Sequence, residues 1–114
     1  KFKDEKVYKV KKVLNEDCVE LENGLVVKLL GIKVLPEKRL NAKEYLENFV
    51  KGKEVFLKTD PNYKSEDLLL AYLFLKNKIF INKEMIRQGF AVVEEGDFIY
   101  KNRLLKVQEV IKNA

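Results

Sequence analysis

The chain has 114 residues, 46% of them apolar, and a formal charge of +5 from 23 basic and 18 acidic side chains. That length suits one domain, residues 1–114, with a core of its own; no apolar run nears the roughly 18 residues of a membrane span, and residues 1–10 lack a signal peptide's apolar centre. One Cys and no His exclude an internal disulfide and nearly exclude a transition-metal site, leaving only a hard cation held by carboxylates.

These totals predict a cytoplasmic location and no membrane partner. Lys at position 1, where a complete protein has Met, reads as a segment of a longer protein. The basic surplus is dispersed rather than gathered in a tail. It suits phosphate binding, and it is also the Lys/Glu-rich composition of thermophile proteins.

Residues 7–14 read as a strand, with Tyr8, Val10 and Leu14 on one face and Lys9 and Lys11 on the other. Asn15-Glu16 turns the chain into a second strand at 18–22. Asn23-Gly24 predicts a type I′ hairpin, in which both central residues need φ > 0, and a third strand follows over 25–32. At Ala42 the period changes: Ala42, Tyr45, Leu46, Phe49 and Val50 share one helical face, with Asn41 as the expected N-cap and Gly52 as the stop.

Residues 54–59 form the fourth strand, ended by the turn signal Asp60-Pro61-Asn62. The apolar run 68–75 suits a strand buried on both faces or a barrel strand. Asn77-Lys78 turns it toward 79–81, and Asn82 is the expected cap of a short helix over 83–88 closed by Gly89. A last helix, with Asp97 as its expected cap, turns Tyr100, Leu104, Val107 and Ile111 inward. Five short strands with a helix between the third and fourth is the order of an OB-fold. The fold class is thus a five-stranded Greek-key β-barrel with about three helices (α+β), whose commonest ligands are oligonucleotides and oligosaccharides.

Three phrases then resemble the staphylococcal nuclease-like (thermonuclease) domain family. VVKLLGIKVLPE at 26–37 resembles the family's RLLGIDTPE, LLLAYLFLKNKIFIN at 68–82 its GRxLAYVxxxGxxVN, and EMIRQGFAVV at 84–93 its xLVRxGLAxV. The resemblance runs from about Val7 to Ile111. It implies an OB-type barrel, and in active members Ca²⁺-dependent phosphodiester cleavage. Such catalysis needs two aspartates on the ion, a glutamate acting on water, and two arginines on the phosphate.

Carried over residue by residue, the resemblance implies a degenerate site. The first metal aspartate falls on Asp17, the only family ligand that remains. The second falls on Lys33, a cation where the ion needs an acid. The glutamate falls on Glu37 once an extra residue, Leu35, is allowed, which puts it out of step. The first arginine falls on Lys28, which keeps charge without the two-pronged hydrogen bonding of guanidinium, and the second falls on Leu68, which has none. The nucleotide-contacting tyrosine falls on Glu66, and acids also occupy Glu94 and Glu95. Tyr63 and Lys64, just upstream of Glu66, are the expected stand-ins. Arg87, in the short helix, is not.

The expectation is therefore a non-catalytic nuclease-like module with no metal and no cofactor. It would bind DNA or RNA weakly through Lys28, Lys33, Tyr63 and Lys64, within a larger protein that carries a linked enzyme domain. Two alternatives stand beside it. One is a scaffold module with a protein partner, for which exposed apolar side chains at 68–70 would be a sign. The other is a surviving Ca²⁺-dependent nuclease in which Asp60 or Asp67 joins Asp17.

Overall fold

Alternating buried and exposed residues on short strands close the first layer of the molecule. The computed structural model describes residues 6–63, 65 and 68–112. Its elements in order are β1 (Val7–Asn15), β2 (Cys18–Leu21), β3 (Val26–Leu29), β4 (Ile32–Val34), a 3-10 turn (Pro36–Lys38), α1 (Arg39–Phe49), β5 (Glu54–Thr59), β6 (Leu69–Leu75), α2 (Ile81–Arg87), β7 (Ala91–Val93) and α3 (Lys101–Lys112). Five strands form a closed barrel in the order β1-β2-β3-β6-β5, and β5 closes on β1. Among the described strands only β3 and β6 run parallel, with Leu29 opposite Ala71. That order, with α1 between β3 and β5, is the OB-type barrel with helices that the element count predicts.

The core is the barrel interior plus a layer under the helices. Val19, Leu21, Val27, Ala71 and Leu73 have no exposure. The run 68–75 is a barrel strand: Ala71, Tyr72, Leu73 and Phe74 are all buried. On its outer side Tyr72, Phe74, Phe80 and Tyr100 form one aromatic cluster, with Phe74 stacked on Phe80 at 4.5 Å and Tyr72 edge-on to Tyr100 at 4.7 Å. These rings dock α3 on the barrel.

Several local expectations are corrected. The Asn23-Gly24 turn is not type I′, because only Gly24 has positive φ. The Gly24 N–H donates to Leu21 O, and the Leu21 N–H donates to Leu25 O. The loop is thus a three-residue hairpin with glycine at its left-handed position. The third strand is not continuous over 25–32, since Gly31 at φ 85° splits it into β3 and β4. β4 leaves the barrel and pairs with β7 instead. After the turn at Asn77-Lys78, Phe80 forms a bridge with Phe74 and Ile81 opens α2.

None of the three expected caps acts as one. α1 begins at Arg39 as a continuation of the 3-10 turn that Pro36 starts, which leaves Asn41 exposed within the helix. Asn82 lies inside α2 and is completely buried. Asp97 lies four residues before α3, and its N–H donates to the Tyr63 hydroxyl at 2.9 Å.

Gly31 is where close approach and positive φ coincide. A Cβ built there would lie 2.7 Å from the Phe98 ring. Gly31→Ala combines a left-handed penalty of about 1 to 3 kcal/mol with overpacking of similar size. It is expected to lower the melting temperature by about 10 °C or more in a calorimetric scan. An unchanged melting temperature would mean that this turn does not hold β4 away from the barrel.

Candidate nucleic-acid interface

Asp17 sits half-buried in the β1–β2 turn. Its N–H donates to Asn15 Oδ1 at 3.0 Å, and its carbonyl accepts the Leu29 N–H at 2.9 Å. The turn is thereby fastened to β3 at the residue after Lys28. Lys28 itself lies opposite Cys18. On β3, Val27 and Leu29 point inward while Val26 and Lys28 are half-exposed, so Lys28 is on the outer face.

The Cys18 thiol is 3.4 Å from Asp17 Oδ1 and donates to it. Burial, followed by the charge and hydrogen bond of Asp17, pushes this thiol up to about 11, with Lys28 pulling the other way. It stays protonated at neutral pH and is no nucleophile.

Lys28 pairs with Leu70 and Val27 with Leu69, so Leu68 leads into the strand beside Lys28. Leu68, Leu69 and Leu70 are half-buried. None of the three is among the exposed large apolar side chains.

Lys33 is exposed at the centre of β4, opposite Val92 of β7. No carboxylate lies within 4.0 Å of it among the described residues. Glu37 is exposed within the 3-10 turn. The extra residue before it, Leu35, is bonded into the fold through its N–H to Phe90 O at 2.9 Å. An ion pair absent from the sequence reading, Arg39 Nε to Glu16 Oε2 at 3.4 Å, joins the β1–β2 turn to the start of α1. It brings the residue before Asp17 to the residue two after Glu37. No local sequence signal announces this pair, because its partners lie in different elements.

The remaining candidates divide. Tyr63 is half-buried, its hydroxyl accepts the Asp97 N–H, and its ring meets Phe98 edge-on at 6.1 Å. Its hydroxyl and ring are thus both engaged with the 97–98 segment. Arg87 is held by Glu84 at 2.6 Å on the exposed side of α2. Glu94 and Glu95 are exposed. Lys64, Glu66 and Asp67 lie outside the described residues.

Asp60 is no recruit to an ion site. It has no exposure, and its carboxylate accepts the Asn62 N–H at 3.0 Å, the Ile99 N–H at 2.9 Å and the Tyr72 hydroxyl at 3.2 Å. Among the described residues no three His, Cys, Asp or Glu side chains gather as ion ligands. Asp17 and Lys33 together offer one carboxylate, where Ca²⁺ takes about six to eight oxygen donors.

No helix among the described residues is long and apolar enough to cross a membrane. Curated proteins give no match to the chain. The family model described as staphylococcal nuclease homologue matches residues 27–114, from β3 to the end, so β1, β2 and Asp17 lie upstream of the matched part. With the closed five-stranded barrel and its three helices, this extent of match means that the chain belongs to the staphylococcal nuclease homologue family.

Proposed function

We propose that this chain is a non-catalytic nuclease-fold module that binds DNA or RNA weakly and without sequence preference, as part of a larger protein acting on nucleic acid. The observation that carries this reading is Lys33: an exposed ammonium group with no carboxylate partner among the described residues, at the position where the family's chemistry calls for a metal ligand. Lys28, on the outer face of β3, gives a second cation close to the turn that holds Asp17. Leu68 supplies no charge to a developing phosphorane. Loss of one such donor alone typically lowers rate by about 100- to 1,000-fold. Lysines without guanidinium geometry attract phosphate as point charges, which favours affinity over base reading.

The test is fluorescence anisotropy with a 20-nucleotide single strand, run beside plasmid digestion with Ca²⁺ and with chelator. A dissociation constant of about micromolar or weaker at 50 mM salt is expected, weakening steeply toward 200 mM. Lys28→Gln with Lys33→Gln should flatten the salt slope by about 1.4, the single-strand value for two phosphate contacts. No plasmid nicking should appear under either condition. Ca²⁺-dependent nicking abolished by Glu37→Gln would overturn the non-catalytic part, and absence of binding at 50 mM salt would overturn the rest.

A further inference from the structure

The other end of β1 carries a denser set of cations than the Asp17 end. Lys9 and Lys11 are both exposed. The pairing of β1 with β2 slips here: Val10 faces Leu21 and Lys12 faces Glu20, two steps on β1 for one on β2. Such a bulge inserts an extra residue and bends the strand. It turns Lys11 and Lys12 outward together, between the inward Val10 and Val13. Lys12 is answered by Glu20 at 3.7 Å.

The turn between α1 and β5 adds two more. Val10 donates its N–H to Lys53 O at 3.0 Å and accepts the Gly52 N–H at 2.9 Å. These bonds hold the exposed Lys51 and Lys53 against the stretch that bears Lys9 and Lys11. None of these four ammonium groups has a carboxylate within 4.0 Å among the described residues. The acid paired across from Lys9, Glu54, is held by Lys76 at 3.3 Å. Glu22, exposed on the next turn, donates its N–H to Lys9 O.

We infer that Lys9, Lys11, Lys51 and Lys53 form a second phosphate-binding face for single-stranded nucleic acid, separate from Lys28. The inference rests on the nucleic-acid reading and adds a second contact surface to it. Lys28 lies across from Cys18 at the far end of β1. At about 3.3 Å per residue, that end is roughly 13 to 20 Å along the strand from Lys11 and Lys9. Four like charges held together repel one another, and a polyanion relieves that repulsion while releasing its own counterions. Point charges on a curved strand surface suit a flexible phosphodiester backbone, which can follow them without a fixed helical register.

The experiment compares three proteins against a fluorescent 20-mer of deoxythymidylate between 50 and 200 mM salt: wild type, K28Q/K33Q, and K9Q/K11Q/K51Q/K53Q. Circular dichroism and melting temperature check that each is folded. The quadruple variant is expected to bind at least about tenfold more weakly at 50 mM salt, with a salt slope flatter by about 3, the value for four contacts at about 0.7 each. The corresponding quadruple Lys→Arg variant should bind like wild type. If the Gln quadruple does not fold, the pairs K9Q/K11Q and K51Q/K53Q should each remove about half the slope change.

Wild-type binding with an unchanged slope in the folded K9Q/K11Q/K51Q/K53Q variant, or in both folded pair variants, would overturn this inference and leave the Lys28 and Lys33 reading standing. The converse, loss in the quadruple with none in K28Q/K33Q, would uphold it and refute that reading. Absence of wild-type binding would overturn both. Equal binding of poly-L-glutamate, lost in the same variant, would assign the face to acidic protein segments and overturn it too.

Discussion

Asn82→Leu is expected to destabilise the protein by about 2 to 5 kcal/mol, although Leu fills a similar volume with a better helix former. Asn82 has no exposure. Its Oδ1 accepts the Leu73 N–H at 2.9 Å, while its Nδ2 donates to Leu30 O at 2.7 Å and to Ala71 O at 3.3 Å. The parallel pairing of β3 with β6 is registered as far as Leu29 opposite Ala71. Leu30 still donates its N–H to Ala71 O at 3.0 Å. Asn82 takes up the backbone groups left where the two strands part, so a side chain from α2 fixes the end of β3.

In the Leu variant Ala71 O keeps one donor, but the Leu73 N–H and Leu30 O each lose the bond that Asn82 makes. Each such buried group costs about 1 to 3 kcal/mol. Asn82→Asp separates hydrogen bonding from shape. It keeps the acceptor for Leu73 and turns the donor into an acceptor facing two carbonyl oxygens, so it should be at least as damaging as Leu. Urea titration reads both as a lower midpoint at unchanged slope. A midpoint within experimental error of wild type for Leu would show that these bonds contribute nothing net. Because Lys28 lies on the strand being fixed, the same variants should also weaken oligonucleotide binding if they fold.

Asn82 also shows which parts of the fold were legible in the chain. Strand positions and their order depend on alternation within a few residues, and the barrel formed as the spacing implied. Caps were misread because the cap rule looks only at neighbours. Asn41, Asn82 and Asp97 all precede an apolar period, yet the bonds of Asn82 reach 9 to 52 residues away. The acceptor near the entry to α3 is Asp60, 39 residues upstream of Ile99. Gly31 was visible as a residue but not as a break, because what makes it one is the contact with Phe98.

The site divides in the same way. Lys28 and Lys33 were found because they stand at fixed offsets in phrases shared with the family. The nearness of Lys28 to the Asp17 turn depends on register. Tyr63 was a reasonable candidate by position, but its hydroxyl and ring are taken up by Asp97 and Phe98. The cluster around Lys9 was hidden, since it needs a bulge and a turn folded back on Val10.

Asp60 leads to the second large effect, and that one depends on pH. Its burial pushes the carboxyl pKa up, but the N–H groups of Ile99 and Asn62 and the Tyr72 hydroxyl outweigh this, and the net shift is downward from 3.8. Tyr72 moves the opposite way, raised by burial and then by Asp60, so it remains a donor. A carboxyl whose folded pKa is depressed binds its proton more readily in the unfolded chain. Its stabilising contribution is therefore complete above 3.8 and is lost as pH falls from there through the lower folded value.

Asp60→Ala removes the acceptor for three donors at once and is expected to cost about 3 kcal/mol or more at pH 7. Asp60→Asn is the sharper test. One oxygen can keep the donors of Oδ2, Ile99 and Tyr72, but the amide nitrogen then faces the Asn62 N–H donor in place of Oδ1. Asn should be destabilising by less than Ala, and its stability below pH 4 should fall less steeply than that of wild type, because the group that titrates is gone. Urea midpoints measured for the three proteins between pH 7 and pH 2.5 provide the comparison. Parallel curves for wild type and Asn would mean that the acid sensitivity belongs to other carboxylates, and that Asp60 holds the 97–100 segment by geometry alone. A gap that closes as pH falls would instead identify the charge on Asp60 as what ties the entry of α3 to the end of β5.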